Sequence, residues 1–451
     1  MDLFMKGCVE MKKVLVLGAG LVARPLVRYL LDQGNLTLVA ASRTVSKAET
    51  LIDGHPNGRA LPLNVKNQDE LEKLVKEADI AISLLPYIHH VQVAELCLRH
   101  GTHLVTTSYV SPAMKALDAQ ARQKGLLFLN EIGLDPGIDH MSAMKIIDNV
   151  KKSGGSILSF ESCCGGLPAP EANDNPFGYK FSWSPRGVVM AGRNAAHFRK
   201  NKQDIRIEGK DLFKNNWLKE VKGLGKLEVY PNRDSMIYEE LYGLQSAETL
   251  FRGTYRNPGW CETLTNIVAL GFLDDSEKPD LKGKTLAQVT AFLASVPADN
   301  RLKSNVAAHL GLPADSKVIS RLEWLGLFSD EPADTDPPTL LDILAARMLK
   351  KMPYREGERD MIVLQHDFIA SFPNGKKKKI CSLLIDYGIP HGDSSMARTV
   401  SLPAAIAVNL ILTGKIKLTG VHIPVLPEIY LPVLDELEKM NIVCKETETE
   451  F

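Results

Sequence analysis

The sequence predicts an α/β protein: a doubly wound parallel sheet at the N-terminus, a mixed α/β domain behind it, and a helical domain inserted into that second body. Three observations predict it. The first 135 residues alternate between short apolar runs and amphipathic helical stretches, which is the rhythm of a parallel sheet covered on both faces. A glycine-rich turn stands where the first run meets the first helix. Past Gly133 the alternation stops and a turn-rich stretch, then a long helical one, takes over.

The expected strands are Val14–Leu17, Leu36–Ala41, Leu61–Val65, Ile80–Leu85, His103–Thr107 and Leu126–Asn130, short and rich in buried-strand residues. Between them, Leu21–Leu31 carries Pro25 in its first turn, where a missing N–H costs little. Asn67–Ala78 gathers Leu71, Leu74 and Val75 on one face. His89–Arg99 and Ala113–Lys124 follow the same pattern and stop at Gly101 and Gly125. His89 and His90, at the start of their helix, read as structural.

Beyond Gly133 a helix is expected over about 139–152, then a strand at Ile157–Cys164 and a long loop over Gly165–Gly187. Phe177, Tyr179, Phe181 and Trp183 imply that this loop is ordered over something. Residues 262–351 read as helical. Strands return at Asp360–Ile369 and Lys379–Asp386 as an antiparallel pair with Asn374-Gly375 in the turn, and Ala397–Thr413 and Pro432–Lys439 are helical. The expected bodies are 11–136 with 397–451, 137–261 with 352–396, and 262–351.

Composition narrows the function. With 45% hydrophobic and 24% charged residues the chain reads as an ordinary globular protein. Lys+Arg and Asp+Glu balance at 54 each, which removes any global electrostatic case for nucleic acid or an anionic membrane. The seven cysteines form no CxxC pair, a reduced pattern rather than a disulfide framework or a zinc site. No apolar run approaches the roughly 18 residues that span a bilayer. Residues 1–10 lack an apolar core and are not Arg-rich, so the expected location is cytoplasmic.

Gly18-Ala19-Gly20-Leu21-Val22-Ala23 fits G-x-G-x-x-A, directly after a strand and opening a helix, which is the context that gives the motif meaning. Gly18 permits the tight turn, Gly20 lets a pyrophosphate approach the backbone, and Ala23 allows close helix–sheet packing. The helix N-terminus then offers N–H groups to phosphate. This is a Rossmann-like dinucleotide site. The second strand ends in Ser42-Arg43-Thr44, where an NAD site carries an acid for the ribose 2′-OH. A cation between two hydroxyls suits a 2′-phosphate instead, so the expected cofactor is NADP.

Several segments together resemble the saccharopine dehydrogenases of the glutamate-forming type, also called saccharopine reductases. They are Leu84-Leu85-Pro86-Tyr87, Thr107-Ser108-Tyr109, Glu131 through His140, Cys164 through Glu171, Asn175-Pro176, Tyr179 through Ser184, Tyr230 through Ser235, and Arg252-Gly253-Thr254. The resemblance runs from about residue 12 to the C-terminus. It implies interconversion of saccharopine, NADP and water with glutamate, 2-aminoadipate 6-semialdehyde and NADPH, by a homodimer whose middle domain carries substrate binding and dimerisation. It places the cofactor on Gly18, Ala19, Gly20, Leu21, Val22, Ser42, Arg43, Thr44, Leu63, Asn64, Ile88, Leu134, Asp135, Pro136 and Trp183. Substrate contacts fall on Ser108, Tyr109, Asp135, Arg233, Thr254, Tyr255 and Arg256. The family commonly has Leu where Tyr255 stands, a difference of pocket shape and not of charge.

The residues themselves point the same way. Ser108, Tyr109 and Asp135 follow the carboxyl ends of the fifth and sixth strands, where open α/β sheets bind ligands. Saccharopine carries three carboxylates and two amines; Arg233 and Arg256 suit bidentate carboxylate capture, and Asp135 suits an ammonium. Tyr109, Asp135, Cys164 and His140 are the candidates for proton handling. Two other readings compete: a related reductase making a carboxylated polyamine, and an NADP-binding regulator without catalysis.

Overall fold

The computed structural model describes residues 11–333, 335, 336 and 338–451. The chain divides into two compact units: the first runs to Asn149 and takes back Ser395–Cys444, and the second comprises Val150–Ser394 with Lys445–Phe451.

The first unit is built on β1 (Lys12–Leu17), β2 (Leu36–Ser42), β3 (Gly58–Pro62), β4 (Ile80–Ser83), β5 (His103–Thr106) and β6 (Leu127–Leu129), with a seventh strand at Gly420–His422. Its sheet order is Gly420–His422, β6, β5, β4, β1, β2, β3, with every pairing parallel. The helices α1 (Ala23–Leu31), α2 (Val45–Ile52), α3 (Gln68–Lys76) and α4 (His90–His100) alternate with the strands. Leu15, Leu17 and Ala81 pack in one cluster with Leu71, Val75, Val93 and Cys97 of α3 and α4. Strand side chains alternate in direction, and α1 packs against the helix Ser395–Leu412. This is the expected doubly wound arrangement.

Ser395–Leu412 is long and apolar enough to cross a membrane, contrary to the sequence reading, but 78% of it is buried inside the protein. It is a core helix. Three further expectations are corrected. The third strand is Gly58–Pro62, not Leu61–Val65. It lies at the sheet edge and is only half-buried, so it carries no apolar signal, while Leu63 still donates to Ser42 O of β2 and Asn64 makes the turn toward the next helix. The helix expected over Ala113–Lys124 is two short ones, Pro112–Lys115 and Asp118–Gln123. The body 11–136 extends through the helix Ile138–Lys152 as far as Asn149. There Tyr430 donates to Asp148 Oδ2 at 2.6 Å.

The second unit carries a nine-stranded mixed sheet. Its strands are β7 (Ser156–Pro168), β8 (Ala196–Lys200), β9 (Gln203–Ile207), β10 (Trp217–Val221), β11 (Gly225–Pro231), β12 (Thr249–Arg256), β13 (Asp360–Ser371) and β14 (Lys377–Tyr387), plus Lys445–Glu450. β12 and β7 run parallel; β13 pairs antiparallel with β7 and β14. β7 continues four residues past the expected end at Cys164. Gly165 is a strand glycine here: a Cβ on it would sit 2.7 Å from Tyr255 of β12, so it marks close packing and not the start of a loop.

The helices between 262 and 351 do not form a separate body. Leu264, Leu322 and Leu344 share one buried cluster with Leu227, Phe251 and Val363 of the sheet. The last strand, Lys445–Glu450, pairs with β14, so the segment expected to continue to residue 451 in the first unit leaves it after Cys444. The aromatic stretch is ordered on this core: Tyr179 lies 4.8 Å from Trp260 and Phe177 lies 5.8 Å from Trp324, ring to ring.

Candidate active site

The glycine turn has the geometry a dinucleotide needs. Gly18 sits at φ +109°, and a Cβ there would meet Leu84 O at 3.0 Å, so only glycine fits without strain. A Cβ on Gly20 would meet nothing within 4 Å; its backbone faces open space. α1 follows with no acidic residue in its first turn and no side-chain cap, leaving its first N–H groups for a phosphate. A cavity of about 340 Å³ lies here, walled by Gly18, Ala19, Gly20, Ser42, Arg43, Thr44, Leu63, Asn64 and Leu84–Pro86. The residues present fit NADP.

Lys47, Lys66 and His89 line the same cavity and were missed in the sequence. Lys47 lies in the first turn of α2, and Arg43 precedes that helix's N-cap Thr44, so the two cations come from the same strand-to-helix turn. Leu21 and Ile88 are exposed and, with Val22, stand outside the cavity walls. Trp183 belongs to the second unit, half-buried against its core.

Ser108 and Tyr109 follow β5, and Leu134, Asp135 and Pro136 lie in the loop after β6. Tyr109 donates to Asp135 Oδ1 at 3.3 Å, so these two predicted residues meet. Behind them two histidines are buried. His140 Nε2 lies 2.8 Å from Glu131 Oε2, with the imidazole fully covered. Glu131 Oε1 also accepts from Val110 N at 2.8 Å, tying the loop after β6 to the loop after β5. That contact braces the loop through His140. His90 Nδ1 lies 2.8 Å from Ser83 Oγ and its Nε2 lies 2.8 Å from Ser108 Oγ. Burial, with a smaller push from His89, holds the His90 imidazolium down to about 4, so His90 is neutral near pH 7.

In the second unit Arg256 ends β12 and is buried at 5% exposure. Its guanidinium lies 5.0 Å from the Tyr179 ring, 5.5 Å from Trp260 and 6.0 Å from Tyr230. It donates to Tyr255 O at 2.7 Å, and its Nε has no hydrogen-bond partner among the described residues. Burial pushes the Tyr179 and Tyr230 phenols up, against the pull of Arg256, so neither supplies a counter-charge. Cation–π contacts compensate part of the desolvation; the cross-strand Glu228 is engaged by Gly259 N and Cys261 N, so Nε of Arg256 is left for a carboxylate. Cys164 pairs in register with Thr254 and is near enough to Arg256 to bear on its charge.

Thr254 and Tyr255 are consecutive in a strand and point to opposite faces. Tyr255 is fully buried with its hydroxyl 3.4 Å from Gln365 Oε1, and burial raises its phenol far above the ordinary range. It shapes the sheet and does not share a face with Thr254. Arg233 is exposed in the turn after β11 at φ +56°; the adjacent Asp234 pairs with His197 at 3.2 Å.

Comparison with known proteins fits both units. Residues 14–129 match the family model described as the saccharopine dehydrogenase NADP binding domain, and residues 133–443 that of the saccharopine dehydrogenase C-terminal domain. The saccharopine dehydrogenase [NADP(+), L-glutamate-forming] of Schizosaccharomyces pombe is 41% identical over 97% of this chain and 99% of that one. That of Saccharomyces cerevisiae is 40% identical over 96% and 99%. The mitochondrial alpha-aminoadipic semialdehyde synthase of Bos taurus is 38% identical over 96% of this chain, which spans 47% of that protein. Among solved structures, the apo saccharopine dehydrogenase (L-Glu forming) from Saccharomyces cerevisiae superposes with a TM-score of 0.88 at 38% identity, covering 97% of this chain and 100% of that one. A parallel sheet with its glycine turn and cationic cavity, a caged arginine on a mixed sheet, and near-complete likeness along the chain agree: the chain belongs to the saccharopine dehydrogenase family.

Proposed function

We propose that the protein is an NADP-dependent, glutamate-forming saccharopine dehydrogenase, an oxidoreductase acting on the CH–NH group of its donor in lysine metabolism. The observation that carries an acidic substrate is Arg256, a buried guanidinium caged by aromatic rings that makes no ion pair among the described residues, its cross-strand neighbour Glu228 accepting instead from Gly259 N and Cys261 N. The fungal relatives named for this reaction support the choice of saccharopine.

NADP held at the Gly18–Gly20 turn and beside Arg43 would supply the hydride acceptor for the carbon that joins the lysine chain to the secondary nitrogen. The resulting imine takes up water, and the C–N bond breaks to release glutamate and the semialdehyde. The chain's own residues bind and move protons. Arg256 holds a carboxylate, and Thr254 and Cys164 lie beside it across β12 and β7. In the first unit, Ser108 is a hydroxyl ligand. The Tyr109–Asp135 pair, joined at 3.3 Å, is placed to exchange a proton with the substrate amine or with water. Arg233 remains part of this reading as a second carboxylate ligand, and Leu134, Pro136, Ile88 and Trp183 as further cofactor contacts.

A homodimer in the cytoplasm completes the proposal. The six described cysteines form no disulfide with one another, which suits a reducing compartment; the mass in solution tests the dimer. Saccharopine added to the protein with NADP at alkaline pH tests the activity. A rise at the NADPH absorbance band supports it. No rise, with turnover of a carboxylated polyamine instead, assigns the related reductase.

A further inference from the structure

Ser83 and Thr106 stand opposite each other at the carboxyl ends of β4 and β5, in register. Both are fully buried. His90, the first residue of α4, reaches between them: Nδ1 at 2.8 Å from Ser83 Oγ, Nε2 at 2.8 Å from Ser108 Oγ and 3.3 Å from Thr106 Oγ1. The Ser108 backbone N–H donates to the same Thr106 oxygen at 3.3 Å. Ser83, His90 and Thr106 are thus sealed from water, and Ser108, half-buried, is the end of the chain that reaches solvent.

We infer that His90 is a positioning residue for substrate binding: it carries its proton on Nε2 and donates to Ser108 Oγ, which leaves the Ser108 hydroxyl proton free to point at a substrate carboxylate. A neutral imidazole has one donor nitrogen and one acceptor nitrogen. A carboxylate only accepts, so Ser108 must donate to it and its oxygen must take a hydrogen from elsewhere. Nε2–H supplies that hydrogen, and Nδ1 then accepts from the Ser83 hydroxyl. The opposite tautomer would draw the Ser108 proton inward and present only lone pairs to the carboxylate. Burial that keeps His90 neutral leaves one ring nitrogen as an acceptor, and the Ser83 hydroxyl, 2.8 Å from Nδ1, can donate to it when Nε2 carries the proton. The inference rests on the reading of Ser108 as a saccharopine ligand.

The test is a double-mutant cycle of His90→Leu and Ser108→Ala, reading KM and kcat for saccharopine, the NADP dissociation constant and the thermal midpoint. Ser108→Ala is expected to raise KM about tenfold. His90→Leu is expected to raise KM by a similar factor, with kcat and NADP affinity nearly unchanged, and to add nothing in the Ser108→Ala background. His90→Gln, which keeps an amide near the Nε2 position, restores most of the KM whatever it does to the midpoint. A KM increase that is the same in both backgrounds, or that follows the thermal midpoint and not the Ser108 contact, overturns the inference. A wild-type KM for Ser108→Ala also overturns it, by removing Ser108 as a ligand, while persisting saccharopine oxidation would leave the proposed activity standing.

Discussion

Replacing Arg43 by alanine isolates the part of the cofactor site that discriminates between NADP and NAD. Arg43 is exposed on the cavity wall, so its removal opens no hole in the core. It makes no ion pair among the described residues, which leaves its charge available. A charge-assisted contact with the 2′-phosphate is worth about 1.5–3 kcal/mol, or about a 10-fold to 150-fold loss in affinity at about 1.4 kcal/mol per decade. NAD lacks that phosphate and should lose less than about threefold, within the scatter expected of a surface substitution. Lys47 and Lys66 line the same cavity, so the preference for NADP should shrink without vanishing, and Arg43→Ala with Lys47→Ala should nearly erase it. Titration calorimetry with each cofactor reads both constants directly. Equal losses for NADP and NAD would show that Arg43 does not face the 2′-phosphate.

Arg256→Ala should raise the saccharopine KM at least about tenfold and leave NADP affinity nearly unchanged, since Arg256 is not among the residues that wall the nucleotide cavity; steady-state kinetics with cofactor titration check both. His90, held near 4 against an ordinary value of 6.5, gives a signed pH dependence. The depressed value means that its contribution is complete above pH 6.5. It is lost as pH falls toward 4, because the unfolded chain takes up a proton that the native site refuses. Urea unfolding at pH 7 and pH 4.5 should therefore show His90→Gln losing less stability than wild type, by up to about 3 kcal/mol.

The parts of the fold that could be read from sequence are those in which one residue type answers one geometric demand. Gly18 at φ +109° and Pro25 in the first turn of α1 are of this kind, and so is the β13–β14 turn with Gly375 at φ +78°. β3 was misplaced because an edge strand need not be apolar, and Gly165 was misread because glycine serves close strand packing as well as loops. The helical insertion looked independent because periodicity reports which face is buried but not what buries it. Its leucines bury against the sheet of the same unit.

The site shows the same divide. The glycine turn and Arg43 are local in sequence and were visible. The Arg256 cage draws Tyr179, Tyr230 and Trp260 from three separate segments. The His90 chain joins β4, α4 and β5. Neither has a spacing to find, because strand register creates both. Tyr255 was placed with its neighbours from the resemblance, although strand alternation alone separates it from Thr254.

The products of saccharopine oxidation distinguish the two C–N bonds of the substrate most directly. With saccharopine and NADP the protein should release glutamate and NADPH in equal amounts, together with the semialdehyde, because oxidation occurs on the lysine side of the shared nitrogen. Release of lysine with a 2-oxo acid would show cleavage of the other C–N bond and contradict the assignment.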